Sequence, residues 1–232
     1  MKKEYKILGA IAVVVIIGAL IGASYYRKSV QNAPVGGGNS NSGNKSALLL
    51  ETLVRPDSPT LGAADAPVTM VEFLDPECES CAMFSPTVKK ILSQYDGKVR
   101  LVVRYMPLHP NSLRAATLTE AAGEQGKYWQ MQELLFQKQP EWGTKHGPAA
   151  TTTAPPDINA LFEKYAMELG LDLAKVNSAV KENRFQAKLD RDLKDGQTLG
   201  VRQTPTIFVN GRKLMRLNDS DLRALIDEEL KK

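Results

Sequence analysis

Only two cysteines and two histidines occur in 232 residues, and both scarcities exclude chemistry. A tetrahedral zinc site needs four ligands, and Cys78, Cys81, His109 and His146 have neither the clustering nor the spacing for one. Covalently attached haem needs a histidine directly after the second cysteine, where residue 82 is alanine. No metal and no cofactor is therefore expected. With one possible cysteine pair, stability has to rest on the core rather than on a disulfide framework. A basic excess is missing as well. Lys2, Lys3, Lys6, Arg27 and Lys28 against Glu4 account for the whole formal charge of +4, so everything from residue 29 onward is net neutral. Without a basic footprint or an interleaved basic and aromatic stripe, nucleic acid is excluded as a partner. The hydrophobic content of 43% is ordinary for a globular chain and argues against disorder throughout.

What is present begins with an unbroken apolar or glycine run from Ile7 to Ala23, preceded by lysines and followed by Tyr25, Tyr26, Arg27 and Lys28. It is long for a signal peptide, and a cut after Ala23 would leave Ile21 at the minus-three position instead of a small residue. Residues 1–28 are expected to be an uncleaved signal anchor. The single transmembrane helix would have the lysine-rich end inside and the rest of the chain outside, and cleavage would instead give a secreted form. Residues 29–47 contain the low-complexity stretch Gln31–Ser46, a flexible linker.

From residue 48 to 232 the pattern is α/β. Val68–Leu74 reads as a strand ended by Asp75-Pro76, and the apolar residues from Cys78 to Tyr95 recur at helical spacing around Pro86. Val99–Leu108 reads as a second strand, parallel to the first in a βαβ unit. Helical patterns follow at Ser112–Glu124, Lys127–Gln137, Ile158–Leu169, Leu173–Lys181 and Phe185–Leu199, with an exposed loop expected over Pro140–Pro156. Thr206–Val209 and Arg212–Leu217 flank Asn210-Gly211, the pair best suited to a type I′ hairpin turn, and Ser220–Leu230 closes the chain as a helix capped by Ser220.

Chemistry concentrates at Cys78-Glu79-Ser80-Cys81, at the turn from strand to helix. An inert staple is the plain alternative, but a disulfide closing so small a loop stabilises little through chain entropy. A thiol at a helix N-terminus faces unsatisfied N–H groups and the positive end of the dipole, which favours thiolate. Redox chemistry is the stronger reading.

The pattern V-E-F-x-D-x-x-C-x-x-C, then L-H-P-N before an alanine-rich helix, G-K-Y-W-Q-M-Q-E-L-L-F, and G-V-R-Q-T-P-T-I-F-V-N-G together resemble the DsbA-like thiol-disulfide oxidoreductases over nearly all of Pro67–Leu230. The resemblance implies a thioredoxin-like fold with an inserted helical domain at about residues 111–199, and an activity of protein disulfide oxidoreductase. It makes Cys78 the exposed sulfur attacked by a substrate thiolate and Cys81 the buried partner. It makes Pro205 the cis-proline facing the active site, and Thr204 the residue whose backbone pairs with an extended substrate. Glu72 would exchange protons with Cys81, provided its side chain lies on the inner face of its strand and not toward solvent. Pro205 could otherwise be a plain strand-start proline. His109 reads as a loop or helix-start residue, not a catalyst.

One departure stands out. Strong oxidants of the family carry Pro-His between the cysteines, whereas this chain has Glu79-Ser80. Glu79, with Glu77 and Asp75 nearby, is expected to raise the Cys78 pKa and make the protein a weaker oxidant, although Ser80 can donate a hydrogen bond. The resulting expectation is an extracytoplasmic dithiol oxidase acting on reduced or unfolded exported proteins and reoxidised by a quinone-linked membrane partner or a small oxidant. A reductase or isomerase of the same fold and a tethered chaperone-like binding module are the alternatives.

Overall fold

The computed structural model of the protein describes residues 49–144 and 157–232. The expected anchor, the linker and most of the 140–156 loop lie outside the described residues. Among the described residues no helix is long and apolar enough to cross a membrane.

A helical stretch over 49–53 leads into β1 (Thr60–Leu61), β2 (Val68–Leu74), α1 (Glu79–Gln94) and β3 (Val99–Tyr105). Helices α2 (Ser112–Gly123), α3 (Tyr128–Trp142), α4 (Ile158–Glu168), α5 (Leu173–Lys181) and α6 (Gln186–Thr198) follow, then β4 (Thr206–Val209), β5 (Arg212–Lys213) and α7 (Asp219–Glu229). The sheet order is β1-β3-β2-β4-β5. β2 runs parallel to β3, with Met70 opposite Leu101, and antiparallel to β4, with Glu72 opposite Ile207.

A central strand is covered on both faces, which is why β2 reads as a nearly continuous apolar run. Val68, Met70 and Leu74 pack with Phe84, Val88 and Ile91 of α1 and with Leu222 and Ile226 of α7. Val71 and Phe73 turn to the opposite face, against Leu53, Val201 and Phe208, with Leu193 and Leu199 beside them. Since side chains alternate along a strand, Glu72 shares the face of Met70 and Leu74 and points beneath α1. Helices α2 to α5 form their own core around Met131, Leu135, Trp142, Phe162 and Tyr165, each such burial contributing about 1.5–3 kcal/mol.

Arg104 of β3 ties the layers together. It is wholly buried, and its guanidinium donates to Asp192 (2.8 Å) and Asp195 (2.6 Å) of α6 and to the carbonyls of Thr52 (2.6 Å) and Leu53 (2.9 Å).

Several boundaries differ from the sequence expectation. α3 continues through Pro140 to Trp142 because the indole of Trp142, buried and donating to the Leu135 carbonyl at 2.9 Å, anchors the last turn. The second strand ends at Tyr105, since the N–H of Leu108 is already turned onto Asp75 at 2.6 Å. β5 is two residues long, and Asn218, not Ser220, caps α7 by accepting from the Asp221 N–H at 2.8 Å. Asn210 and Gly211 have φ of 46° and 84°, as a type I′ turn demands, and the Asn210 side chain fixes the hairpin to β2 by accepting from the Thr69 N–H at 2.8 Å.

Candidate active site

Asp75 to Cys78 form a tight turn between β2 and α1, closed by the Cys78 N–H donating to the Asp75 carbonyl at 3.1 Å. Cys78 is the N-cap residue of α1, with φ −74° and ψ 118°, so its sulfur sits where a capping side chain normally meets the free amides of the first turn. Cys81 lies one turn on, pointing inward. Both are free thiols, Cys78 being 7% exposed and Cys81 0%.

Their acidities diverge. The Cys78 pKa is lowered to about 5, chiefly because the Cys81 thiol donates to it, against burial, with further donation from the Thr204 hydroxyl and the amides of Cys81 and Ser80. Cys81 is pushed well above the ordinary thiol range by burial, by that same hydrogen bond and by the charge of Glu72. Glu79, Glu77 and Asp75, expected to raise the Cys78 pKa, are not among the main causes that set it. Glu79 is exposed at the rim, and the carboxylates of Asp75 and Glu77 are turned onto donors elsewhere in the turn and its supports.

Beneath the pair, Glu72 is 4% exposed. Burial first, and then the Cys78 charge, raise its pKa to about 7, so the carboxyl is poised to hold or release a proton at neutral pH. Glu72 also lines a cavity of about 270 Å³ between α1 and α3, which the Lys89–Glu133 ion pair borders.

Across from Cys78, the Thr204–Pro205 peptide bond is cis and Pro205 is buried at the start of β4. The Cys78 thiol donates to the Thr204 carbonyl at 3.3 Å. All the residues singled out in the sequence, Glu72, Cys78, Glu79, Ser80, Cys81, Thr204 and Pro205, therefore meet around one turn.

Sequence reasoning missed the straps that hold the turn. Asp75, wholly buried, accepts from the N–H groups of Glu77 (2.8 Å), Leu108 (2.6 Å) and His109 (3.1 Å), from the Ser112 hydroxyl and from His109 Nδ1 (2.7 Å). Glu77 accepts from the Asn111 N–H (2.6 Å) and the Thr144 N–H (2.7 Å), and Gln139 donates to the Pro76 carbonyl (3.0 Å). The helical insertion thus holds the active-site turn at three successive residues. A cleft of about 770 Å³ opens beside Cys78, walled by His109 and by Phe136, Gln139 and Pro140 of α3.

A family model described as thioredoxin matches residues 55–228. The chain belongs to the thioredoxin family. Within that family the fold is similar to oxidised BdbD from Bacillus subtilis (TM-score 0.65, 27% identity, 75% of this chain and 94% of that one). It is equally similar to a thioredoxin-like oxidoreductase from Silicibacter pomeroyi (TM-score 0.65, 26% identity, 78% and 98%). The fold is also shared with α-DsbA1 of Wolbachia pipientis (TM-score 0.67, 24% identity, 80% and 96%). By sequence the thioredoxin-family chain is 34% identical over 208 residues to Na(+)/H(+) antiporter NhaA 3 of Salinispora tropica, covering 85% of this chain and 29% of that protein. It is 31% identical over 176 residues to NhaA of Herminiimonas arsenicoxydans, covering 74% and 26%. The chain spans less than a third of the length of these relatives.

Proposed function

We propose that the protein is an extracytoplasmic, membrane-anchored dithiol oxidase that introduces disulfides into reduced, exported proteins. The observation that carries this reading is the division of labour in one turn: an acidic sulfur at the foot of an open cleft, a fully buried sulfur behind it, and a carboxyl of near-neutral pKa beneath.

In the oxidised protein a client thiolate attacks Cys78 Sγ, a new intermolecular S–S bond forms, and the Cys78–Cys81 bond breaks with its electron pair on Cys81. Glu72 delivers a proton to that buried thiolate, which is a poor anion in its surroundings. A second client thiolate then attacks the client sulfur of the mixed disulfide and expels Cys78, a good leaving group because its pKa is low. Two electrons have passed from the client dithiol to the cysteine pair. A quinone-linked membrane partner, or a small oxidant, would take them away. The edge at Thr204 and Pro205 would pair with an extended client backbone, which makes recognition tolerant of sequence. Residues 1–28 would anchor the domain, N-terminus inside, with residues 29–47 as its tether.

A Cys81→Ser variant, offered a reduced two-cysteine client, is expected to accumulate a mixed disulfide at Cys78 that non-reducing electrophoresis displays, and Cys78→Ser to form none. Full activity in a variant lacking both cysteines would sink this reading in favour of a binding module. The exposed acidic Glu79 beside Cys78 favours a second direction, reductase or isomerase of the same fold, which the reduction potential separates from the first.

A further inference from the structure

The cleft beside Cys78 holds, among the described residues, one basic side chain, and the exchange chemistry above leaves it unused. His109 donates through Nδ1 to Asp75 at 2.7 Å, and its ring is 33% exposed in the same cleft as the Cys78 sulfur. The bond is not needed to hold the loop. Asp75 already receives the N–H groups of Leu108 and His109 and the hydroxyl of Ser112. What the ring contact adds is a fixed imidazole, Nδ1 committed to a buried carboxylate and Nε2 left without a hydrogen-bond partner among the described residues.

Charge gives that geometry its meaning. Glu79 and Ser80 supply no cation between the cysteines, and among the described residues that line the cleft only His109 can become positive. We infer that His109, oriented by Asp75, is the cationic partner of the Cys78 thiolate, supplying from the loop after β3 the charge that the intervening dipeptide lacks and adding to the hydrogen bonds that already make Cys78 acidic. His109 is in this sense a positioning residue for charge, acting through Cys78. The inference rests on the reading of Cys78 as the attacking thiolate.

The groups that face the imidazole are consistent in sign. Burial alone would lower its pKa, but Asp75, the Cys78 thiolate and Glu77 raise it above the ordinary histidine value. Glu79 of α1 borders the same cleft, while α3 brings Phe136, Gln137 and Gln139 and α2 brings Ser112, none of them titratable. The cation is therefore complete at low pH, and its support of the thiolate fades as pH rises through the raised histidine pKa.

Two measurements on the full chain in detergent test this. The ultraviolet absorbance of the Cys78 thiolate, followed against pH in the reduced protein, is expected to shift its midpoint upward by about one pH unit in His109→Gln, a roughly tenfold change, and to return toward the parent value in His109→Lys. Coupling is reciprocal, so the His109 proton resonance of the unmutated protein is expected to titrate at lower pH once Cys78 and Cys81 are oxidised and the thiolate is gone. With only two histidines in the chain, the assignment is direct. A Cys78 midpoint that stays put in His109→Gln, or a His109 titration indifferent to oxidation, overturns the inference and leaves the ring as a loop contact; the second measurement stands if the Gln variant fails to fold. A parent Cys78 that itself titrates in the ordinary thiol range defeats the underlying reading of Cys78 instead.

Discussion

Placing one carboxyl under a cysteine pair makes exchange depend on pH at the residue scale. Glu72 moves from an ordinary value of 4.5 to about 7 in the folded protein. A folded pKa above the unfolded one contributes stability that is complete below about 4.5 and lost as pH rises through about 7. Glu72→Gln is therefore expected to flatten the fall in stability between those values, read by urea unfolding at a series of pH values. Because proton delivery to Cys81 is also lost, formation of the mixed disulfide should slow on the order of a hundredfold at neutral pH, as stopped-flow quenching would record. An unchanged rate with an unchanged pH profile would remove Glu72 from the mechanism. The sequence could name Glu72 but not orient it. β2 is apolar on both sides, so alternation alone has no solvent face to point away from, and only the packing of Met70 and Leu74 under α1 decides. The roles of Asp75, Glu77 and His109 were harder to see. Asp75 meets its loop partners more than thirty residues away, as Glu77 meets Asn111 and Thr144, and no local period reports such pairs.

Between elements, the insertion is held to the sheet by close contact and by charge, and each is separately testable. Gly196 lets α6 lie flat on the sheet: a Cβ there would stand 2.9 Å from the Met106 sulfur and 3.1 Å from the Phe73 ring. Gly196→Ala is expected to cost about 1–3 kcal/mol of unfolding free energy despite alanine's better helix propensity. Arg104→Leu leaves Asp192 and Asp195 in the interior without that guanidinium and is expected to cost about 3–5 kcal/mol, again by urea unfolding. A loss below about 1 kcal/mol would mean that α6 repacks freely. At this scale the sequence was informative. Hydrophobic period and Asn210-Gly211 announced the order of elements, because those signals are local. Where it erred, at Pro140 and Asn218, a tertiary contact or a competing cap overruled the local preference.

For the whole molecule, the acidity of Cys78 links redox state to stability. A thiol depressed from 9.0 to about 5 stabilises the reduced fold above the unfolded value and loses that contribution as pH falls through about 5. The reduced protein is expected to resist urea better than the oxidised one at pH 7, with the gap narrowing as the pH is brought toward 5; an oxidised form that is the more stable at every pH would speak for a structural disulfide. The thioredoxin architecture was legible from residues 68 to 230 because the cysteine turn, the threonine-proline strand and the hairpin are each short and local, whereas the direction of electron flow is a property of the finished electrostatics. That direction is read by one measurement, the reduction potential of Cys78 and Cys81 in the full chain, equilibrated against glutathione and followed by thiol labelling. A value above about −180 mV places the protein among disulfide donors, as proposed; a value near about −270 mV, the range of thioredoxin-like reductants, contradicts the oxidase assignment.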